Sequence, residues 1–431
     1  MTTLSPRRAA LPAALALCTA LSLSACSSGS SSSSAGSSSA PVTLTFWGTY
    51  GNGGNKAQTD VLSQTIIPAF EKAHPNIKID YVDVPYNSLL QKLTTGAAGG
   101  QLPDLVRSDI TWVPKFASLG VFAQLDGTMS NFQTLADATY PGTLSTNEWH
   151  GHYYGLPLDT NTRVLISNQA ALTSAGISSP PSTFAELESD AALLAKKKIP
   201  VFADSGLQGW NILPWIWSGG GEITDPTLTK ATGYLNGAQS VAAVQMLVDL
   251  YKEGAIPKLI IGDTGATSTQ DGLPKGTYAD ILDGPWMHDI WTAQYASFQP
   301  TYSPIPSGDG GSVSVVGGED IVMTSTSQHQ AADEEFLAFT QSATYQLAMA
   351  KTGQMSVVSS LGAQEAQAVP YLAPYITQLK NAKSRPAVPD EPQIDTVLQD
   401  DLTPAFQGTT TVQAALDKAA AAIDPLLTAE K

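Results

Sequence analysis

The sequence predicts an α/β protein of two lobes, each built around a parallel sheet. Three observations carry that expectation. The chain has 431 residues, more than one ordinary domain holds. Strand-like runs alternate with helical apolar spacing from Pro41 to Val106. The same alternation resumes beyond Pro157. Hydrophobic residues make up 42% and charged residues 14%, so the chain can fill substantial cores and is not of the disordered class.

Residues 42–47 read as a strand ended by Gly48. Leu62, Ile66, Ile67 and Phe70 stand at helical spacing within 59–73, and His74-Pro75-Asn76 stops that helix. Ile77, Ile79, Tyr81 and Val84 mark a second strand; Leu89, Leu90 and Leu93 mark a second helix, ended by residues 96–100. A third strand opens at 102–106. Helical crossovers between such strands imply parallel pairing with helices on both faces. Further on, 163–168, 199–203 and 278–282 read as strands. Thr183 and Glu186 have capping-box spacing ahead of a helix reaching about residue 197. Residues 239–253 form an amphipathic helix closed by Gly254, and 333–340, 345–350 and 411–427 are helical. No tandem repeat is present.

The N-terminus reads as an address. Residues 1–25 form a signal peptide, with Arg7-Arg8 as its basic part and an apolar stretch at 9–23 too short to span a bilayer. Leu23-Ser24-Ala25-Cys26 resembles the bacterial lipobox, in which the peptidase cuts before the cysteine and the thiol of Cys26 carries the lipid. Residues 26–40 are then the lipidated cysteine and a serine-rich tether, a flexible coil reaching roughly 20 Å. Arg7-Arg8 also raises twin-arginine export, although the residues usual around such a pair are missing. Cys18 and Cys26 are the two cysteines, so the body beyond them has no disulfide and no cysteine-ligated metal. Without Arg7 and Arg8 the charge is about −18, which disfavours nucleic acid and anionic lipid and suits an uncharged ligand.

Several segments line up in order along 41–431. They are Leu44-Thr45-Phe46-Trp47-Gly48, His74-Pro75-Asn76-Ile77-Lys78-Ile79, and Leu102-Pro103-Asp104-Leu105-Val106 with Asp109 and Trp112. Tyr154-Gly155-Leu156-Pro157, Asp283-Gly284-Pro285-Trp286-Met287, Val316-Gly317-Gly318-Glu319 and Ala414-Ala415-Leu416 follow. Together they resemble the extracellular sugar-binding proteins of ABC importers, the maltose-binding-protein-like family. The resemblance implies a two-lobed periplasmic-binding-protein-like fold, each lobe a mainly parallel sheet flanked by helices. Three chain crossings, near 157–163, 309–317 and 355–360, would form the hinge. Lobe one would be 41–158 plus 317–354, and lobe two 163–310 plus 360–431. It further implies a monomer without cofactor or catalytic residue. Such a protein sits on the outer face of the membrane through its lipid anchor and hands a sugar to ABC permease subunits.

Open α/β sheets place ligands beyond the carboxyl ends of their strands, and a sugar needs flat rings for its C–H faces and fixed polar groups for its hydroxyls. Trp286 follows the strand at 278–282 in a Gly-Pro-Trp turn, and the family analogue stacks on the sugar. Trp210 follows the strand at 199–203 and matches a family aromatic contact, with Gln208 beside it. Asp109 and Trp112 follow the third strand where the family contacts sugar, and Tyr50 lies in the glycine-rich loop after the first. From the crossings come Asp159 and Asn161, Gly317 and Gly318, which let backbone approach a ligand, and Glu319 as an acceptor. Arg385 is a candidate donor. Trp47, Trp215 and Trp217 read as packing residues. Gly51, Gly53 and Gly54 lack the Gly-Lys-Ser/Thr of a nucleotide loop. His150 and His152 have no third ligand nearby and read as a surface loop, and Asp400-Asp401 and Glu334-Glu335 as solvated helix faces. A secreted glycosidase and a sensory receptor partner are the competing functions.

Overall fold

The computed structural model describes residues 40–51, 55–263 and 265–427. The signal peptide, Cys26, the serine-rich tether, Gly53 and Gly54 lie outside the described residues. The strands are β1 (Val42–Gly48), β2 (Ile77–Asp83), β3 (Leu105–Asp109), β4 (Glu148–Trp149), β5 (His152–Tyr153) and β6 (Leu156–Thr162), then β7 (Val164–Ser167), β8 (Phe202–Ala203), β9 (Asp280–Asp283), β10 (Thr301–Ser303), β11 (Ser314–Met323) and β12 (Ala382–Lys383). A six-stranded sheet runs β12-β11-β3-β1-β2 with β6 also on β11, and a four-stranded sheet runs β10-β7-β9-β8.

The α/β fold is as expected and both sheets are mixed: parallel pairs outnumber antiparallel ones in the first, β11 also pairing parallel with β12, and only the second sheet is mainly antiparallel. In the first, β1 pairs parallel with β2 and β3, whereas β11 runs antiparallel to β3 and β6. In the second, β8 and β9 are parallel, but β7 is antiparallel to both β9 and β10. Parallel pairing survives where a helix lies between the two strands, as it must for a crossover connection. It fails where a strand passes from one half of the molecule to the other. Only Arg163 separates β6 from β7, so β7 enters the second sheet in the direction β6 dictates.

Alternation along the strands builds the cores. Leu105, Ile321 and Met323 face one hydrophobic cluster of the first sheet, with Leu44, Phe46 and Phe70. Their neighbours Val106 and Val322 face the other, with Leu89, Leu93 and Phe116. Likewise Leu165 and Leu282 point to one cluster of the second sheet, and Val164, Ile166 and Ile281 to the opposite one. Trp215 and Trp217 are buried in the former.

Local signals account for most element ends. The first helix is capped by Asn55, whose side chain accepts from the Gln58 amide, so it starts at Lys56, earlier than its apolar spacing shows. A π turn at Leu62–Ile66 interrupts it just ahead of Pro68, which has no amide hydrogen to continue an α pattern. Thr183 caps the helix Phe184–Ala195 through the Glu186 amide at 3.1 Å. The Glu186 carboxylate accepts from the Ser182 amide at 2.7 Å, one residue further back than a capping box places it. Gly254, at φ +76°, ends the helix Ala238–Lys252.

Three chain segments lie side by side between the sheets. β6 pairs with the first part of β11, matching Thr162 to Val316, Asn161 to Gly317 and Thr160 to Gly318. Thr160 exchanges two backbone hydrogen bonds with Met355, at 3.0 and 3.1 Å. Gly318 sits at φ +136°, where a Cβ would lie 2.3 Å from the Asp159 carbonyl oxygen, so only glycine fits.

Candidate ligand-binding site

A cavity of about 270 Å³ opens where these segments meet the ends of β3 and the helices of the second half. Its first wall is built by strand register. Asp109 on β3 stands opposite Glu319 on β11, and Glu319 stands opposite Asp159 on β6. Three carboxylates side by side repel one another, and Arg107, on the same face of β3 as Asp109, lies among them. Its Nη2 is 2.7 Å from Glu319 Oε2 and 3.3 Å from Asp159 Oδ2. Nη1 donates to the Thr49 hydroxyl, and the guanidinium lies over the Tyr50 ring at 4.5 Å. Burial pulls the Arg107 pKa down, but the charges of Glu319 and Asp159 overcome it and hold the group above its ordinary value. Burial pushes the Glu319 carboxyl well up; Arg107 opposes this and Asp159 adds to it. Asp109 is fixed by donors: Oδ1 accepts from the Thr111 amide at 2.8 Å and hydroxyl at 2.6 Å, and Oδ2 from the Tyr86 hydroxyl at 2.6 Å.

The second wall comes from helices and a loop. Glu391 and Asp395 are one turn apart on the helix Glu391–Phe406 and share a face. Arg385, with its side chain only 7% exposed, places Nη1 3.5 Å from each of them and Nη2 3.7 Å from Asp109. Asp395 also accepts from the Gly209 amide at 2.7 Å, at the N-terminus of the helix Gly209–Ser218, where a negative charge meets the favourable end of the dipole. Burial raises both the Glu391 and the Asp395 carboxyls, against the pull of Arg385.

Two tryptophans complete the cavity. Gln208 is the N-cap of Gly209–Ser218 and Trp210 lies in its first turn, while Trp286 is the N-cap of the helix Met287–Gln294. Their rings are stacked, 27° apart with centroids at 6.1 Å. Trp210 reaches this position because residue 317 is glycine: a Cβ there would lie 2.6 Å from its ring and 2.3 Å from Asn161 Oδ1.

Of the residues singled out in the sequence, Asp109, Asn161, Gln208, Trp210, Trp286, Gly317, Gly318, Glu319 and Arg385 line this cavity. Tyr50, Trp112 and Asp159 lie behind its wall, which corrects their placement. Tyr50 is fully buried with its hydroxyl on that of Tyr345, and its ring packs on Phe46 and Tyr81. Trp112 is buried behind Tyr86, with ring centroids 5.5 Å apart. Asp159 is buried against Arg107. Thr49, Asn55, Gln58, Tyr86, Arg107, Gln354 and Asp395 also line the cavity and were not foreseen. For Arg107 a signal existed: a charged residue inside the buried run Leu105-Val106 to Asp109 requires partners. Asn161 Oδ1, Gln354 Oε1 and the Nε groups of Arg107 and Arg385 are buried without a hydrogen-bond partner among the described residues. The wall thus offers both acceptors and donors to a polar ligand.

Elsewhere, His150 and His152 belong to the β4–β5 hairpin, and no group of three His, Cys, Asp or Glu side chains is placed to hold a metal among the described residues. Asp401 is buried and bonded to Lys418 at 2.7 Å, so the Asp400-Asp401 pair is only half a solvated face.

Comparison with known proteins agrees with this architecture. The chain is 23% identical over 365 residues to the galactooligosaccharide-binding protein of Bacillus subtilis, covering 82% of this chain and 84% of that one. It is 23% identical over 318 residues to the diacetylchitobiose binding protein DasA of Streptomyces coelicolor, covering 72% and 71%. The GacH receptor of Streptomyces glaucescens, solved unliganded and with acarbose, has the same fold, with a TM-score of 0.80 at 23% identity over 91% of this chain and all of that one. The sugar-binding protein MalE of Xanthomonas citri superposes with a TM-score of 0.74 at 23% identity, over 90% and 98%. Residues 54–347 match the family described as bacterial extracellular solute-binding protein, and the chain is a member of that family.

Proposed function

We propose that the chain captures a sugar or oligosaccharide outside the cell and delivers it to an ABC permease. The observation that carries this reading is the cavity: the stacked indoles of Trp210 and Trp286 beside a ring of arginines, carboxylates and amides. That is the chemistry a saccharide demands, apolar on its ring faces and polar around its edge. The named ligands of the Bacillus, Streptomyces coelicolor and Xanthomonas relatives are sugars, which supports the same class here. Each lining carboxylate is ion-paired with an arginine, an arrangement suited to holding hydroxyls rather than to acid–base catalysis.

In this reading the lobes are 41–158 plus 317–354 and 163–310 plus 360–431. The ligand contacts are Asp109, Asn161, Gln208, Trp210, Trp286, Gly318, Glu319 and Arg385. The hinge crossings let the lobes close, because only the closed state touches sugar from both sides. The protein acts as a monomer, held to the outer face of the membrane by lipid on Cys26.

Calorimetry tests the central claim: one sugar should bind saturably at 1:1 and be recovered unchanged, and product that grows with protein concentration would make it an enzyme. Small-angle scattering should show a smaller radius of gyration with ligand. Cys26→Ser should move the protein from the membrane to the soluble fraction; a variant still wholly in membranes would sink the lipid anchor.

A further inference from the structure

The charge balance of the cavity wall goes beyond what a neutral sugar needs. Asp109, Glu319 and Asp395 line it, and Asp159 and Glu391 touch the same two arginines from behind. Against these five acids stand Arg107 and Arg385 alone, and no lysine or histidine is among the described residues of the wall. Fully ionised, the group carries three more negative than positive charges. Both guanidiniums are already engaged, Arg107 with two carboxylates and Arg385 with three. Holding surplus carboxylate charge away from water is costly unless a countercharge arrives.

The cavity has two ways to meet that cost. One is to retain protons, and burial does raise the carboxyls of Glu319, Glu391 and Asp395, with the arginines opposing. The other is to take its countercharge from the ligand. Two further features favour a cation. Trp286 lines the same cavity as the acids, and the negative face of an indole attracts positive charge, as the Trp210 ring already does for the Arg163 and Arg385 guanidiniums at 5.6 and 6.0 Å. Asn161 and Gln354, each only 4% exposed, have side-chain oxygens with no hydrogen-bond partner among the described residues, and a protonated amine brings several N–H donors at once. An anionic saccharide meets the opposite: the Arg107 and Arg385 Nε groups are free to donate, but the surplus acids around both guanidiniums repel it.

We propose that the cavity selects a saccharide carrying a protonated amine over its neutral counterpart, and rejects acidic sugars. This rests on the sugar-capture reading of the same cavity, and it departs from the uncharged ligand that overall acidity suggests. A bound ammonium favours the ionised carboxyls, so binding releases protons and tightens as pH rises through the range in which those acids titrate.

The test uses the mature protein and matched sugar sets on the gluco and galacto skeletons, as single sugars and as disaccharides. Each set holds an amine, an N-acetyl, a hydroxyl and a carboxylate member. Titration calorimetry should find the amine member at least about tenfold tighter than the hydroxyl member, and the carboxylate member weakest. Affinity for the amine should fall with added salt, and buffers of different ionisation heat should reveal proton release. Glu319→Gln should cut the amine-to-hydroxyl preference by about fivefold or more. Hydroxyl or N-acetyl members that bind as tightly as the amine would overturn the proposal and leave sugar capture standing. If no member of any set binds, the sugar reading itself fails and the proposal with it.

Discussion

Arg107 and Arg385 have the same chemistry in two different settings. Arg107 and its acids all project from adjacent strands of one sheet, β3, β6 and β11, so ladder register holds them together. Arg385 stands beyond the short β12, gripped by two acids of a neighbouring helix, and reaches Asp109 on β3 in the other half. The first cluster is part of a wall. The second joins two walls. An ion pair within a sheet serves the fold, and one that spans two halves serves their mutual position.

The largest effect should come from separating the two. Arg107→Met leaves Asp159 and Glu319 buried without their cation, and should lower unfolding stability by about 3–5 kcal/mol in urea denaturation. Arg385→Met strands buried Glu391 and should also cost stability, but Asp395 keeps the Gly209 amide and the ligand should be weakened more than by Arg107→Met. Equal losses of affinity would erase the distinction.

The tryptophans sharpen it. Trp286→Ala should lower affinity roughly thirtyfold, about 2 kcal/mol, with a small change in melting temperature. A melting point that collapses while affinity holds would mark Trp286 as a core ring. Gly317→Ala pushes a methyl into the Trp210 ring and Asn161, and should cost about 1–3 kcal/mol of stability as well as affinity.

A purely pH-dependent effect concerns an acid with no arginine at all. Asp280, on β9, accepts from the Ser167 hydroxyl, and burial pushes its carboxyl up to about 7. Its folded pKa exceeds the unfolded one, so its stabilisation is present below about pH 4 and is lost as pH rises through about 7, by at most about 1.4 kcal/mol per pH unit. Asp280→Asn should flatten that part of the stability profile. An unchanged slope between pH 5 and 8 would place the titration elsewhere.

Much of the cavity lining was legible because α/β folds open their clefts beyond strand ends. Asp109 and Trp286 were found that way. Tyr50 and Trp112 obey the same rule and still face inward, because loop geometry, not sequence position, turns a side chain toward a cavity or a core. Asp395 gave no local signal: its partner Arg385 is ten residues away, and its contact with the Gly209 amide spans 186 positions.

What the sequence determined by itself was the alternation of strands and helices along much of the chain and several of their ends, while the strands β6, β10 and β11 and the helices Gly209–Ser218 and Met287–Gln294 were not read from it. That alternation and those ends depend on periodicity, caps and breakers within a few neighbouring residues. Only the tertiary structure decided strand direction across the two halves, the row Asp109, Glu319 and Asp159 around Arg107, and the meeting of Arg385 with Asp109. These depend on which strand lies beside which, and backbone hydrogen bonds and buried charges choose such neighbours without regard to their distance along the chain.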